Sequence, residues 1–320
     1  MAANINSIAW VGAQPWHKLG RKVDALMNSS EALEYAGLDW TVRKENIYTR
    51  NNIAPISRQY AMVRSDNNEA LGIVGEYYKP LQNKEAFSFF DAVVQDKLAM
   101  FEVAGALGGG ERVWMLAKLP GQIKVTNQDM IDKYVLLSNT HDGSSPVIMQ
   151  ITPVRVVCQN TLNLAMKGDT NRFLARHTIS LGGKVKDARE KLQIVNQWYA
   201  EFEQASQNLA KQYVTAKQLD QFLNELWPVP TEEEKAKTSK SIGIQDDIKM
   251  LFEHGRGQEL ASVKGTKWAL WNAVTEYTDH LRSTKMTNGF KTEDEARLNS
   301  QWFGSGRELK TKAFEVINRI

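Results

Sequence analysis

The chain has 320 residues, a formal net charge of +3, 42% hydrophobic and 24% charged residues, which is long enough for two domains or for one large domain with helical additions. So small a net charge excludes polyanion binding spread over the whole surface, and any nucleic-acid partner requires cations concentrated locally. The single cysteine, Cys158, excludes an internal disulfide and a cysteine-rich zinc site.

The start, MAANINSIAW, has neither the charged head nor the apolar run of a signal peptide, and no uncharged apolar span of about twenty residues follows. A cytoplasmic protein with no membrane partner is the expectation.

In chain order, Ala13–Gly20 reads as a loop, and Ser29-Ser-Glu31 opens a helix that Gly37 closes. Asp39–Tyr48 predicts a strand. Tyr60–Arg64 and Leu71–Tyr78 flank Asp66-Asn-Asn68 and predict a hairpin, with Lys79-Pro80 ending its second strand. Asn83–Leu98 follows as a helix, its Phe87, Phe90, Val93 and Val94 lining one face. Phe101–Ala106 and Arg112–Lys118, joined by Gly108-Gly-Gly110, predict a second hairpin. A glycine run invites a phosphate-loop reading, but no Gly-Lys-Ser/Thr follows and the next element is a strand.

Tyr134–Lys167 carries the densest structural signal. Tyr134–Ser138 and Val147–Val157 read as strands around the turn segment Asn139–Ser145, with Thr152-Pro153 placed at an edge, bulge or bend because proline cannot donate to a ladder. Asn160 is a candidate N-cap for a short helix through Met166. The hairpins and helices of the first half together predict an α+β fold, a curved antiparallel sheet with helices packed on one face.

After Gly182-Gly183 the character changes. Val185–Trp227 reads as one long amphipathic helix, with Leu192, Val195, Tyr199 and Phe202 on one face, stopped by Pro228-Val-Pro230. Thr231-Glu-Glu-Glu234 has capping-box spacing and opens the charged run Glu232–Lys240, a solvated helix or linker. Lys267–Thr284 is a further helix, a polar connector leads to Trp302-Phe-Gly-Ser-Gly306, and a last helix runs from Glu308 to Ile320. The expected organisation is a hairpin-and-helix core over residues 1–182 and a mainly helical domain over 183–320.

Catalytic signals are weak. None of the five histidines pair at the i, i+4 spacing of a zinc helix. His141-Asp142 resembles a metal-binding pair, yet Gly-Ser-Ser follows it in a turn. Cys158, in an apolar strand, reads as core. The expectation is no catalytic residue, no metal and no cofactor.

A cationic window remains. Eight Lys/Arg stand against three acids between Gly143 and Lys191. Single-stranded nucleic acid is held by cations on phosphates and aromatic faces on bases, so Arg155, Lys167, Arg172 and Arg176 are candidates for the first role. Phe173, Trp114 and Tyr134 are candidates for the second.

Pro15-Trp-His-Lys-Leu-Gly20, His141-Asp-Gly-Ser144, Thr152-Pro-Val-Arg-Val-Val-Cys-Gln-Asn-Thr-Leu162, Gly265-Thr266, Trp271-Asn-Ala-Val-Thr-Glu-Tyr277 and Trp302-Phe-Gly-Ser-Gly306 together resemble the phage and plasmid-like family built on domain of unknown function 932. The resemblance spans almost the whole chain. It implies a bacteriophage, prophage or plasmid gene product acting inside a bacterial host, and it carries over no catalytic residue.

The hairpin-plus-helix order is also similar in outline to the cores of phage single-strand annealing proteins, which assemble into rings or filaments. The expected function is therefore a non-enzymatic, homo-oligomeric single-stranded DNA binding or annealing protein of recombination or replication, with Arg155, Lys167, Arg172, Phe173 and Arg176 at its site. The alternative is a protein that binds and modulates a host protein through its helical half. A third reading is a metal-dependent nuclease using His141 and Asp142.

Overall fold

The computed structural model describes residues 8–11, 21–23, 28–50, 54–94, 99–155, 161–162, 172–177, 184–229, 235–286, 290 and 292–320. The strands are β1 (Ile8–Val11), β2 (Arg21–Val23), β3 (Val42–Tyr48), β4 (Pro55–Arg64), β5 (Ala70–Gly75), β6 (Met100–Leu107), β7 (Arg112–Lys124), β8 (Met130–Thr140), β9 (Val147–Ile151), β10 (Val154–Arg155) and β11 (Arg172–Ala175). The helices are α1 (Ser29–Tyr35), α2 (Asn83–Val94), α3 (Val185–Ala210), α4 (Ala216–Leu226), α5 (Lys235–His254), α6 (Lys267–Glu276), α7 (Glu293–Phe303) and α8 (Ser305–Ile317), and a π-helix over Tyr277–Leu281 continues α6.

The apolar run around Tyr134 forms the centre of the larger of two sheets, ordered β11-β9-β8-β7-β6-β1-β2 with β10 beside β8. Its pairings are antiparallel except β1 with β2. A second, antiparallel sheet, β3-β4-β5, holds the first predicted hairpin. The protein is α+β, with strands in its N-terminal half and helices mostly in its C-terminal half.

Local signals explain most elements. Asn28 caps α1 in a capping box with Glu31, and Gly37 leaves the helix at φ 63°, a conformation that glycine adopts without steric cost. Gly108 and Gly110, at φ 67° and 115°, turn β6 into β7. That loop receives an arginine: Arg64 donates through Nη1 to the Gly109 carbonyl, pairs with Asp66 at 2.6 Å, and lies 4.2 Å over the Trp40 ring. At Thr152-Pro153 the expected interruption occurs, β9 ending at Ile151 and β10 resuming at Val154.

Three expectations are corrected. Val185–Trp227 is two helices. The break lies at 211–215, where Val214 N donates to Gly265 O at 2.9 Å, Lys267 N donates to Gln212 O at 2.7 Å, and Thr215 and Gln218 form a capping box that starts α4. The connector before Trp302 contains a complete helix, α7, whose Thr292 side chain accepts from Glu295 N. Helices also cover both faces of the large sheet. On one face Ala86, Phe87 and Phe90 of α2 and Phe202 of α3 meet Met115, Val135 and Met149. On the other, Leu298 and Trp302 of α7 pack onto Trp10, Val103, Trp114, Leu116 and Leu136, with the Trp114 and Trp302 rings edge to face at 4.8 Å.

The larger core continues from the strands into the helical half. Trp268 and Trp271 on the wholly buried α6 meet Phe202, and Trp268 Nε1 donates to Asp129 Oδ2 at 2.7 Å beside the β7–β8 turn. Ala13–Gly20, Cys158, Asn160, residues 163–166 of the helix predicted through Met166, Gly182-Gly183 and Thr231–Glu234 lie outside the described residues, and Thr161 forms an antiparallel bridge with Val154.

Candidate nucleic-acid interface

Of the residues proposed from the sequence, Arg172 and Phe173 do not share a surface. In β11, Arg172 and Phe173 are neighbours on a strand and therefore point to opposite faces. Arg172 faces α7, donating through Nε to Gln150 Oε1 at 2.8 Å and through Nη2 to the Trp302 carbonyl at 3.2 Å. Phe173, 7% exposed, turns into the core against Phe89, ring centroids 5.9 Å apart. Arg176 is exposed just beyond the strand. Arg155 is placed by its backbone, opposite Ile131, and Lys167 lies outside the described residues. Trp114 and Tyr134 are buried, Tyr134 beneath Lys118 at 5.7 Å. Burial takes the faces of these aromatics out of reach of a base.

His141 and Asp142 also face apart. Asn83 donates its amide to the carbonyls of Leu38 and Trp40, which turns its Oδ1 toward His141 Nε2 at 2.8 Å. Nε2 therefore carries the proton and the buried Nδ1 is a bare lone pair. Burial, and secondarily His177 and Arg64, pushes the His141 imidazole down to about 3. Asp142 Oδ1 instead accepts from Ser144 N at 2.9 Å and Ser144 Oγ at 2.7 Å, closing its own turn around Gly143 at φ 77°. Among the described residues no group of three or more His, Cys, Asp or Glu side chains is arranged to hold a metal ion.

Cations and aromatics do converge in the C-terminal half, in a cleft of about 590 Å³. Its walls come from helix ends. Trp227 terminates α4, and its carbonyl accepts from Gln245 Nε2 of α5 at 2.8 Å. Lys240 and Ile244 line the cleft from one face of α5. Tyr277 begins the π-helix and Arg282 ends it, Arg282 N donating to Tyr277 O at 2.7 Å. A π-turn widens the helix by one residue and is a frequent feature of functional sites. The segment beyond, with Ser283, Thr284 and Lys285, is tied to α7 by Arg297 Nε donating to Arg282 O at 3.3 Å. Asn299 and Ser300 of α7 and Ser305 of α8 form the elbow at the back, where Gly306 N donates to Ser300 Oγ at 3.0 Å.

The electrostatics favour an anion. Lys240, Arg282 and Lys285 line the cleft, no acidic side chain among the described residues does, and none of the three cations forms an ion pair with a described residue. The nearby acids of α7, Glu293 and Asp294, are engaged by Arg297 at 3.2 and 2.8 Å. Tyr277 registers the mixed surroundings: burial pushes its phenol up, the Arg282 guanidinium pulls it back and the Asp247 carboxylate adds to the rise. Trp227, half-buried and edge to face with Tyr277 at 6.2 Å, and Phe290 supply aromatic surface.

Sequence reading missed this site because its residues come from five elements spread over residues 227–309. The legible signal was the clustering of a cation or an aromatic at successive helix ends, Trp227, Tyr277, Arg282 and Lys285.

The model of one protein family matches residues 70–302, a domain of unknown function (DUF932). The chain belongs to this family. The matched region runs from β5 to the Trp302 end of α7 and so takes in the large sheet from β6 onward, the α3–α6 core and most of the cleft. No curated protein and no solved structure matches the chain. Among the described residues no helix is long and apolar enough to cross a membrane.

Proposed function

We propose that this member of the DUF932 family is a non-enzymatic single-stranded nucleic-acid-binding protein, with DNA as its natural partner. In this reading it is a bacteriophage or plasmid gene product that works in the cytoplasm of a bacterial host during recombination or replication, as a homo-oligomer. The observation that carries the reading is the cleft: three cations without ion-pair partners among the described residues, beside Trp227, Tyr277 and Phe290, with no acid among the described lining residues. Phosphate oxygens pair with Lys240, Arg282 and Lys285, and a base stacks on the exposed part of Trp227. Stacking of this kind contributes about 1–3 kcal/mol per base, and it does not require a particular sequence.

Relative to the site expected from the sequence, the contact surface moves from β11 to the helix ends. Arg172 is occupied by Trp302, and Phe173 is in the core.

The test is binding of labelled single-stranded and double-stranded DNA across a salt series, with oligomeric state recorded by light scattering. Three cations neutralising phosphate charge on a single strand predict a slope of log K against log salt of about −2. Lys240→Gln with Lys285→Gln should reduce its magnitude by about 1.4. Absence of binding at low salt would overturn the reading.

A further inference from the structure

We infer that the cleft is an end site, taking one nucleoside phosphate unit: the phosphorylated terminus of a single strand, or a free nucleotide. The strand source rests on the nucleic-acid reading above.

The shape is the first argument. A protein that tracks the interior of a strand offers a continuous groove spanning roughly 4–16 nucleotides. This cleft, of about 590 Å³, is instead walled by α4, α5, the π-helix, α7 and α8 and backed by the α7–α8 elbow. That volume falls within the roughly 300–1,000 Å³ of small-molecule sites.

The unpaired polar atoms are the second. Arg282 and Asn299 line the cleft, and their Nη1 and Oδ1 atoms have neither solvent contact nor a hydrogen-bond partner among the described residues, so a ligand meets them once the two side chains turn into the cleft. A buried polar atom without a partner carries a desolvation penalty that a suitable ligand relieves. Arg282 Nη1 can only donate, so it asks for an anionic or carbonyl oxygen; Asn299 Oδ1 can only accept, so it asks for an N–H or O–H. Inorganic phosphate or a fatty acid answers the first alone. A nucleoside phosphate answers both, with its phosphate oxygens and with a base amino group or sugar hydroxyl.

Charge is the third. A terminal phosphate monoester carries roughly −1.5 to −2 at pH 7, more than the single charge of a diester within a strand, and three cations line the cleft.

The experiment compares a linear single strand bearing a terminal phosphate, the same strand circularised, and deoxynucleoside monophosphates, by fluorescence anisotropy and titration calorimetry. The expected result is binding of the linear strand at least tenfold tighter than the circle, with competition by the monophosphates. Monophosphate binding with no strand binding supports the site and assigns it to free nucleotides, while the strand reading fails. In either case Lys240→Gln with Lys285→Gln, at exposed positions, should weaken binding about tenfold with unchanged thermal unfolding. A circle that binds as tightly as the linear strand, with monophosphates unable to compete, overturns the end site and leaves single-strand binding standing. No binding by any of the three overturns both.

Discussion

Arg172 Nη2 donates to the carbonyl oxygen of Trp302, 130 residues further along the chain, at 3.2 Å, while its Nε holds Gln150 at 2.8 Å. Trp302 lies in the last turn of α7, where backbone carbonyls have no partner within the helix. A cation there satisfies an orphan acceptor and opposes the negative end of the helix dipole. Gln150 Nε2 reaches the same carbonyl at 3.3 Å. Two strand residues and one helix end thus fix α7 against this face of the sheet.

Arg172→Ala should therefore act on stability. A hydrogen bond to a charged group contributes about 1.5–3 kcal/mol, and the half-buried setting places the loss toward the lower end. Urea unfolding should show a reduced midpoint, and nucleic-acid affinity at temperatures where the variant is folded should stay within about twofold of the parent. A large affinity loss with unchanged unfolding would return Arg172 to the binding surface.

Lys310 on α8 and Asp279 in the π-helix form an ion pair whose side chains are both 0% exposed. Lys310 Nζ also donates to Thr161 O at 2.8 Å and Oγ1 at 2.7 Å, and Asp279 Oδ2 accepts from Thr161 N at 2.8 Å and Oγ1 at 2.9 Å. Removing one partner leaves an uncompensated buried charge. Lys310→Met should thus cost about 3–5 kcal/mol, whereas Lys310→Met with Asp279→Leu should recover part of that loss. Chemical denaturation of both variants checks the pair; a double variant no more stable than Lys310→Met would overturn the prediction.

Acid should destabilise the protein through His141. Its imidazole is held down to about 3, chiefly by burial, and His177 is lowered as well, again by burial first. Between about 6.5, the ordinary histidine value, and the folded value, only the unfolded chain takes up the proton, so stability falls as pH falls. At pH 4.5 the cost at His141 is about 2–3 kcal/mol. Glu102 and Glu111, pushed up by burial, bind protons more readily when folded and oppose this slope. His141→Gln should therefore flatten the decline in stability between pH 6.5 and 4.5, measured by urea unfolding at each pH. An unchanged slope would remove His141 as its cause.

Gly72 of β5 lies against the turn after β8. A Cβ placed there would stand 2.7 Å from Asp142 Cα, a backbone contact that side-chain rotation cannot relieve. Gly72→Ala should force the small sheet away from the large one and lower stability by about 1–3 kcal/mol. Gly75→Ala, with nothing within 4 Å of the added carbon, is the control and should be close to neutral in thermal unfolding.

The legible parts were those whose cause is local. Gly108 and Gly110 turn a hairpin because their φ values favour glycine, and Pro153 interrupts the strand because it has no N–H to give. The periodic Phe87, Phe90 and Val93 bury one face of α2. Where the deciding group was distant, reading failed. No glycine or proline marks the end of α3; the break depends on backbone pairing of residues 212–214 with 265–267. Arg172 and Phe173 look like a cation beside a stacking ring, but strand alternation sends them to opposite faces.

By itself the sequence determined the α+β class, the family membership, the hairpins and the order of apolar segments, since these follow from composition, turn chemistry and periodicity along the chain. Only the tertiary structure decided that α7 would cover the second face of the sheet, that Arg172 and Phe173 would face opposite sides of it, and that Lys240, Arg282 and Lys285 would share a cleft. Those outcomes depend on which side chains meet across long separations in sequence, and burial and hydrogen-bond satisfaction between distant segments settle that.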